Sequence, residues 1–479
     1  MTRFEILALS PIILLALTAA LIMLQIAIRR QHALTLILSL AGLAAAFVSL
    51  PLAARWSPGQ VTDLVVVDAY ALFYIGLILA ATAASALMGY GYLRRLGGHC
   101  EEYYLLLLIA AIGAAVLATS RHFAAFFIGL EILSIALYAL LAYPRRRVTS
   151  LEAGIKYLVL AAASSAFLLF GMALVYMDTG TLAFAGMAAR IRSLPEMGGW
   201  LLVLAGAGMI IVGIGFKLAL VPFHMWTPDV YQGAPAPVTG FVATVSKAGM
   251  VALLLRLFIP VSLPGSPSLF LVFWLIAFAS MVGGNLLALA QNSVKRILAY
   301  SSIAHMGYLL VAFMAGGTMA VQAVTFYITA YTVMTLGAFA IVSVLSGRDG
   351  DADSLEDFQG LFLRHPWLGG IFIAMLLSLA GIPLTAGFIG KFYLVTAGLD
   401  SALSWLVITL VLTSGISLYY YLRIVVVLFK SPDEGQALPD LRPAVGFSGG
   451  LVLAAMSIML IWLGVVPSSL LALIHVIAQ

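Results

Sequence analysis

Residues 210–237 read IIVGIGFKLALVPFHMWTPDVYQGAPAP, an apolar run that carries one charge, Lys217, before Pro222. The run has the composition of a membrane-spanning helix, and a lysine at the centre of a bilayer costs about 2.5–3.5 kcal/mol. Because proline removes a backbone hydrogen bond, this helix is predicted to break at membrane depth. A break beside a buried charge is typical of membrane transport proteins.

Three further charges lie in apolar runs of the same kind. They are Lys247 in FVATVSKAGMVALLL, Lys391 in TAGFIGKFYLV and Glu131 in FFIGLEILSIALYAL. With Lys217, the four charges cost roughly 10 kcal/mol, which is comparable to the stability of a whole domain. They predict that the chain handles protons or ions inside a membrane.

The composition is that of a polytopic membrane protein. Of the 479 residues, 63% are hydrophobic and 9% charged, whereas soluble domains carry about 25% charged residues. The net charge of +5 comes from loop arginines and does not indicate nucleic acid binding. One cysteine excludes an intrachain disulfide and an iron–sulfur cluster held by this chain alone. We find no nucleotide, flavin or zinc motif, and therefore expect neither a cofactor nor a metal site in the chain.

Apolar runs of about 20 residues predict an all-α protein with about fourteen transmembrane helices. The predicted spans are 5–28, 33–53, 66–93, 103–119, 122–142, 152–177, 199–221, 236–258, 267–290, 296–315, 319–346, 367–398, 400–430 and 446–470.

The twelfth span is predicted to be broken as well. Its centre, SLAGIPLTAG (378–387), places Pro383 and flanking glycines between two apolar halves. Lys217 lies five residues before Pro222 and Lys391 eight residues after Pro383. Paired breaks of this kind point to two inverted repeats with the transport site between them.

The positions of lysine and arginine predict the orientation, since such residues accumulate in cytoplasmic loops. With both termini in the periplasm, five of these residues fall in periplasmic loops, namely Arg3, Arg55, Arg121, Arg190 and Arg192. Thirteen fall in cytoplasmic loops: Arg29, Arg30, Arg94, Arg95, Arg145, Arg146, Arg147, Lys295, Arg296, Arg348, Arg364, Lys430 and Arg442. This bias, and the lack of a transit-like segment, predict a multi-pass protein of a bacterial inner membrane.

Two long motifs resemble a known family. VPFHMWTPDVYQGAPAPVTGF (221–241) and SLAGIPLTAGFIGKFYL (378–394) are similar to the antiporter-like membrane subunits of respiratory complex I. This family has N-type, M-type and L-type subunits. The segment TPDVYQGAP and the lysine at 391 resemble the N type rather than the M type. The L type carries a lateral helix after its last span, and we expect none here.

The resemblance implies a division of the chain into four parts. N-terminal helices occupy 1–102, a first antiporter-like repeat 103–258, a second 259–430, and a loop with the last span 431–479. It also implies that a charged axis for proton translocation consists of Glu131, Lys217, Lys247 and Lys391. Weaker candidates carried over from the family are His305, His224, Glu152 and Lys156. The last two, spaced i,i+4, are equally well interpreted as a neutralised surface pair.

A buried lysine suits proton transfer because an apolar environment disfavours its charged form. A nearby Glu131 would favour the charged form of Lys217, and its displacement would release the proton. By resemblance, NADH, FMN, the iron–sulfur clusters and quinone belong to other subunits. The expected partners are antiporter-like subunit M, the small membrane subunits on the quinone side, and lipids. A subunit of a monovalent cation/proton antiporter and a structural membrane scaffold remain alternatives.

Overall fold

In the part of the chain that the structure describes, the regular secondary structure is helical apart from one short hairpin. The computed structural model describes residues 3–56, 59–193, 200–261, 266–347, 350–401, 403–431 and 445–478. The hairpin pairs β1 (Gly59–Gln60) with β2 (Val66–Val67). The helices of the first half are α1 (Arg3–Ala8), α2 (Ser10–Ile28), α3 (His32–Val48), α4 (Leu50–Ala54), α5 (Ala69–Leu96), α6 (Glu101–Thr119), α7 (Phe123–Leu141), α8 (Val148–Thr179), α9 (Phe184–Ser193), α10 (Trp200–Leu218), α11 (Trp226–Gly233), α12 (Ala236–Phe241) and α13 (Lys247–Phe258).

A π-helical turn, Val242–Ser246, joins α12 to α13, and 3-10 turns occupy Ile259–Val261 and Leu355–Phe358. The helices of the second half are α14 (Pro267–Leu289), α15 (Val294–Ala315), α16 (Gly317–Leu345), α17 (Leu361–Arg364), α18 (Pro366–Ala380), α19 (Ala386–Asp400), α20 (Ser404–Phe429), α21 (Phe447–Val465) and α22 (Ser468–Ala478).

The helices confirm the predicted class of membrane protein. Within the described ranges, 13 helices are long and apolar enough to cross a membrane. The broken pair α18–α19 supplies the remaining predicted crossing. The central spans formed by α12–α13, α15 and α16 are fully buried, so the core of the bundle lies around them.

Proline explains two differences from the predicted helix boundaries. The first predicted span is divided at Leu9, next to Pro11, and the second at Ser49, next to Pro51. Proline is tolerated in the first turn of a helix and disrupts a helix interior, so a new helix begins at each site. A terminal helix, α22, was not predicted as a separate element. The predicted loop residues Arg348 and Arg442 lie outside the described residues.

Polar contacts hold the two ends of α5, which is about 42 Å long. At its start, Asp68 caps the helix and forms two hydrogen bonds of 2.8 Å with Arg256 of α13. Burial alone would raise the pKa of Asp68, but Arg256 holds it below its usual value. At the other end, Tyr92 donates to Asp351 at 2.6 Å. These contacts define two opposite polar ends of the bundle.

The first predicted break occurs directly after Lys217. Helix α10 ends at Leu218, and Ala219 has a φ of 61°, in the left-handed region that side chains rarely adopt. The Trp226 indole donates to the carbonyl oxygen of Phe216 at 2.9 Å. Backbone groups freed by the break are thus satisfied inside the protein, as their depth in a membrane requires.

The second predicted break lies between α18 and α19. Gly381 has a φ of 90° and Leu384 a φ of 70°. The backbone amide of Gly387 donates to Ser378 Oγ at 3.0 Å, which links the two half-helices. Both breaks contain a non-glycine residue in the left-handed region, Ala219 in the first and Leu384 in the second.

Gly381→Ala is expected to destabilise the second break. An added Cβ would lie 2.9 Å from Lys391 Cδ, and the positive φ alone costs an alanine about 1 kcal/mol. We expect a lower thermal unfolding temperature of the purified protein in detergent. Gly370→Ala in α18 is the matched control, because its Cβ would meet nothing within 4 Å. Equal unfolding temperatures for both variants would contradict this account of the break.

Candidate functional site

The three predicted lysines are buried in the core of the bundle. Lys217 lies in the last turn of α10, Lys247 begins α13 and Lys391 lies in α19, with exposures of 3%, 0% and 7%. Each Nζ donates a hydrogen bond to an uncharged oxygen. A buried ammonium paired with a carboxylate would be fixed in the charged state, whereas a neutral acceptor tolerates the loss of the proton.

Lys217 is bound by a tyrosine. Its Nζ donates to Tyr157 Oη at 2.9 Å and lies 5.2 Å from the centre of the same ring. Glu131 does not contact Lys217 directly, since its carboxylate accepts a hydrogen bond of 2.6 Å from Ser165. One face of α7 carries Glu131 and Tyr138, and the Tyr138 ring contacts Tyr157 with centroids 5.8 Å apart. Glu131 is half-buried, so the predicted burial of this charge is only partial.

Lys247 is joined to the second half of the bundle. Its Nζ donates to Ser302 Oγ, which lies 2.6 Å from Tyr331 Oη. The π-helical turn Val242–Ser246 directly precedes Lys247. Such turns are rare and occur frequently at functional sites, because they change the direction of the following side chains.

His305 lies between Lys247 and Lys391. Its Nδ1 is 2.5 Å from Tyr327 Oη and its Nε2 is 3.4 Å from Tyr421 Oη. The imidazole also contacts the Tyr308 ring, with centroids 5.5 Å apart. The structure thus brings His305 into the predicted axis.

Lys391 is held at the second helix break. Its Nζ donates to the carbonyl oxygen of Ala380 and to Ser414 Oγ, both at 2.7 Å, and lies 5.3 Å from the Tyr308 ring centre. Tyr308 Oη in turn accepts a hydrogen bond of 2.8 Å from Asn285. The carbonyl freed by the break therefore serves as the lysine's acceptor.

A series of aromatic rings separates Lys217 from Lys247. Tyr157 contacts Trp226 at a centroid distance of 4.9 Å, and Trp226 contacts Tyr231 at 6.3 Å. Tyr231 Oη then lies 3.5 Å from Ser302 Oγ. The two lysines are connected through buried side chains, although no continuous row of hydrogen bonds joins them in the described part of the chain.

His224 is buried in the loop after the first break, away from these contacts. Its Nδ1 has no hydrogen-bond partner among the described residues. Burial lowers the pKa of His224, although a backbone hydrogen bond near Pro222 opposes this. The structure does not join His224 to the axis.

Glu152 and Lys156 lie at the polar end of the bundle rather than in its core. Lys156 pairs with Glu152 and with Asp229, each at 2.7 Å, and Asp229 pairs with Arg296 at 2.8 Å. Although burial opposes it, Lys156 and Arg296 lower the pKa of Asp229. The arrangement fits the surface ion pair that was one interpretation of the sequence.

Sequence reasoning missed the acceptors around the lysines. The segment AYSSIAHMGY (299–308) places Ser302 and His305 three residues apart, which is one helix face. That spacing was a usable signal. The tyrosines of α8 and α16 gave no such signal in the sequence, because a buried tyrosine in a helix is ordinarily a packing residue. Among the described residues, no group of three metal-ligating side chains was found.

Comparison with known proteins gives the same family throughout. The family described as NADH:quinone oxidoreductase/Mrp antiporter, TM, matches residues 120–417. A relative from Methylococcus capsulatus, NADH-quinone oxidoreductase subunit N, is 48% identical over 474 residues, which cover 98% of this chain and 94% of the relative. The chain belongs to this antiporter-like transmembrane family. The subunit N of Ectopseudomonas mendocina is 45% identical over 493 residues, covering 99% and 97%, so the resemblance to the N type is confirmed.

Solved structures agree with this assignment to the antiporter-like family. A chain of respiratory complex I from Thermus thermophilus with bound aureothin is 35% identical, with a TM-score of 0.82 and coverage of 96% and 98%. A chain of the Mrp complex from Dietzia sp. has a TM-score of 0.86 with coverage of 100% and 97%. At 21% identity, the latter shows a shared fold alone.

Tyr157→Phe is expected to destabilise this antiporter-like chain. It leaves the Lys217 ammonium buried without its hydrogen-bond acceptor, which costs about 1–3 kcal/mol. The measurement is the thermal unfolding temperature in detergent, with the exposed Tyr419→Phe as control. Adding Lys217→Met to Tyr157→Phe should restore part of the loss. An unaltered unfolding temperature in Tyr157→Phe would show that this hydrogen bond is not important for stability.

Proposed function

We propose that the chain is the proton-translocating subunit N in the membrane arm of NADH-quinone oxidoreductase. The single observation that carries the proposal is the buried axis of Lys217, Lys247, His305 and Lys391, which runs through the core of a chain 48% identical to a curated subunit N. Lys217 and Lys391 each lie beside a helix break, and Lys247 directly follows the π-helical turn.

Protons would move along the axis by reversible loss and gain at the lysine amines. From Lys247, a proton reaches His305 through the hydroxyls of Ser302 and Tyr331, and then Lys391 beside Tyr308. Hydroxyl and imidazole groups both donate and accept hydrogen bonds, so each can take up one proton and release another. Because Tyr331 and His305 contact each other through their rings, with centroids 5.5 Å apart, transfer between them requires water or a side-chain movement. The neutral acceptors of the lysines support this role.

Glu131 would set the charge of the first lysine. It reaches Lys217 only through Tyr138 and Tyr157, so its influence is electrostatic rather than a direct ion pair. At a distance of roughly 8 Å and an effective dielectric of about 20, such an influence amounts to about 2 kcal/mol. A change in the charge or position of Glu131 would therefore favour uptake or release at Lys217.

The driving reaction would take place in partner subunits. NADH oxidation with FMN and iron–sulfur clusters, and the reduction of quinone, are assigned to those subunits. The neighbours proposed in the membrane are antiporter-like subunit M on one side and the small membrane subunits towards the quinone site on the other, with lipid around them. We assign the two repeats to 103–258 and 259–430.

Replacement of the lysines by arginine separates proton transfer from charge pairing. Arginine keeps the positive charge but is effectively never deprotonated. Lys217→Arg and Lys247→Arg should therefore assemble normally and lose NADH-driven proton uptake in inverted membrane vesicles, as Lys→Ala variants do. Assembly is checked on native gels.

Full proton uptake by assembled arginine variants would contradict the relay and favour a structural role for the charges. Uptake should also persist in sodium-free buffer. Dependence on sodium would instead support the cation/proton antiporter alternative, which shares this fold.

We further propose that both termini lie in the periplasm of the bacterial inner membrane. Thr149 and Glu356 are exposed at the polar end that carries most loop arginines, and Ala189 in α9 is exposed at the opposite end. A membrane-impermeant maleimide should label Thr149→Cys and Glu356→Cys from the cytoplasmic side and Ala189→Cys from the periplasmic side. Cys100 is buried and serves as the background. The reverse pattern of labelling would overturn the orientation.

A further inference from the structure

A buried amide points inward from α14, one of the outer helices of the bundle. Asn285 is 0% exposed, whereas the next two residues, Leu286 and Leu287, are 51% and 41% exposed. It is one of only two asparagines in the chain. An amide inside a membrane-spanning helix costs free energy unless hydrogen bonds satisfy it, and an apolar residue would fill the same space without that cost. Packing alone therefore does not explain this residue.

The hydrogen bonds of Asn285 fix the orientation of its amide. Its Nδ2 donates to the carbonyl oxygen of Met281 at 2.7 Å and to Tyr308 Oη at 2.8 Å, and its Oδ1 accepts from Tyr420 Oη at 3.0 Å. A backbone carbonyl oxygen can only accept a hydrogen bond, so the atom that faces Met281 must be the amide nitrogen. The same nitrogen faces Tyr308. The Tyr308 hydroxyl is therefore the acceptor in this contact.

Two glycines bring α14 and α15 together at this contact. A Cβ added to Gly284 would lie 2.7 Å from the backbone nitrogen of Ala304, and one added to Gly307 would lie 2.9 Å from the backbone nitrogen of Met281. The two helices therefore approach each other closely on both sides of the contact. The residue that follows each glycine is the asparagine or the tyrosine of the hydrogen bond. Backbone packing thus sets the distance between these two side chains.

The ring of Tyr308 faces the ammonium group of Lys391. The Nζ atom lies 5.3 Å from the ring centre and donates to the carbonyl oxygen of Ala380 and to Ser414 Oγ. An ammonium group has three N–H donors, so the two oxygens leave one donor for the ring. The face of an aromatic ring attracts a cation, most strongly where water is excluded. The ring is therefore the part of Tyr308 that acts on Lys391, and the hydroxyl is the part that Asn285 holds.

We propose that Asn285 is a positioning residue for proton transfer, whose amide holds the Tyr308 ring against Lys391 so that the ring stabilises the ammonium form of this lysine. The inference rests on the proposed function. Without the amide, the Tyr308 ring loses the hydrogen bond that fixes it, and Lys391 takes up a proton less readily. Asn285 itself carries no proton, because the amide only donates and accepts hydrogen bonds.

The first experiment compares two side chains of similar length and shape at position 285. Asn285→Gln keeps an amide, whereas Asn285→Met replaces it with an apolar group, so both variants lengthen the side chain to the same extent. Both should assemble on native gels. Asn285→Met should lose about tenfold of the NADH-driven proton uptake in inverted vesicles, which is the scale of a desolvated cation–π contact, and Asn285→Gln should retain most of it. Equal uptake in the two variants would overturn the proposal.

The second experiment tests whether the amide acts through Tyr308. Tyr308→Phe deletes the same hydrogen bond from the other side and should reduce uptake as Asn285→Met does. The double variant should be no worse than either single variant, because both changes remove one interaction. Losses that multiply in the double variant would show that Asn285 acts elsewhere. Tyr308→Leu, which lacks the ring, should lose more uptake than Tyr308→Phe. Equal losses in these two would assign the effect to the hydroxyl and contradict the proposal.

Tyr420→Phe is the matched control for the hydrogen bonds of the amide. It removes the bond to Asn285 Oδ1 and leaves the bond from Nδ2 to Tyr308 in place. The variant should therefore retain most of the proton uptake. A loss equal to that of Asn285→Met would mean that the amide serves to hold α20, and the positioning of Tyr308 would be refuted.

Lys391→Met separates a failure of this inference from a failure of the proposed function. Loss of uptake in Lys391→Met together with normal uptake in Asn285→Met would overturn the positioning role and leave the relay intact. Normal uptake in Lys391→Met would overturn the relay through this lysine, and with it the inference.

Discussion

The ammonium groups of Lys217, Lys247 and Lys391 each rest on an uncharged oxygen, and the surrounding structure provides that arrangement. A charge in the interior of a membrane protein is stable only when its donors are satisfied, yet a carboxylate partner would hold the proton permanently. The tyrosine hydroxyl at Lys217, the serine hydroxyl at Lys247 and the backbone carbonyl at Lys391 avoid both outcomes. The second helix break supplies the Ala380 carbonyl, whereas Tyr157 and Ser302 lie on the continuous helices α8 and α15.

The two breaks differ in which group donates to a backbone carbonyl oxygen. At the first break, the Trp226 indole donates to the carbonyl oxygen of Phe216, and Lys217 donates to the Tyr157 hydroxyl. At the second break, Lys391 itself donates to the carbonyl oxygen of Ala380. A tyrosine side chain can change rotamer, whereas a backbone carbonyl moves only with the helix. Lys217 is therefore held by a side chain alone, and Lys391 by the backbone of α18 together with the Ser414 hydroxyl.

The sequence predicts features that depend on local chemistry. Apolar runs, Pro222 and Pro383 identified the spans and both breaks, and the mid-span lysines identified the axis. It could not predict partners that the tertiary packing supplies. Lys295 follows a loop in the sequence, and only the return of Asp351 from a distant loop makes it a buried residue. The roles of the site residues, like the division into repeats, stay predictions because they concern motion of protons rather than position.

Ion pairs lie at the polar ends of the bundle, away from the three lysines of the proposed axis. The pairs Asp68–Arg256, Arg147–Asp351 and Asp229–Arg296 lie at its polar ends, whereas the axis through the core has none among the described residues. Arginine supplies the cation in each of these pairs, so their charge is fixed over any ordinary pH range. Lysine supplies every cation of the axis, and its proton can leave. Ion pairs, which include Lys156–Asp229 and Lys295–Asp351 beside the arginine pairs, thus fasten the ends of the helices, while the lysines of the proposed axis have neutral acceptors in the interior. This division allows protons to move through the core without loosening the contacts that hold the bundle together.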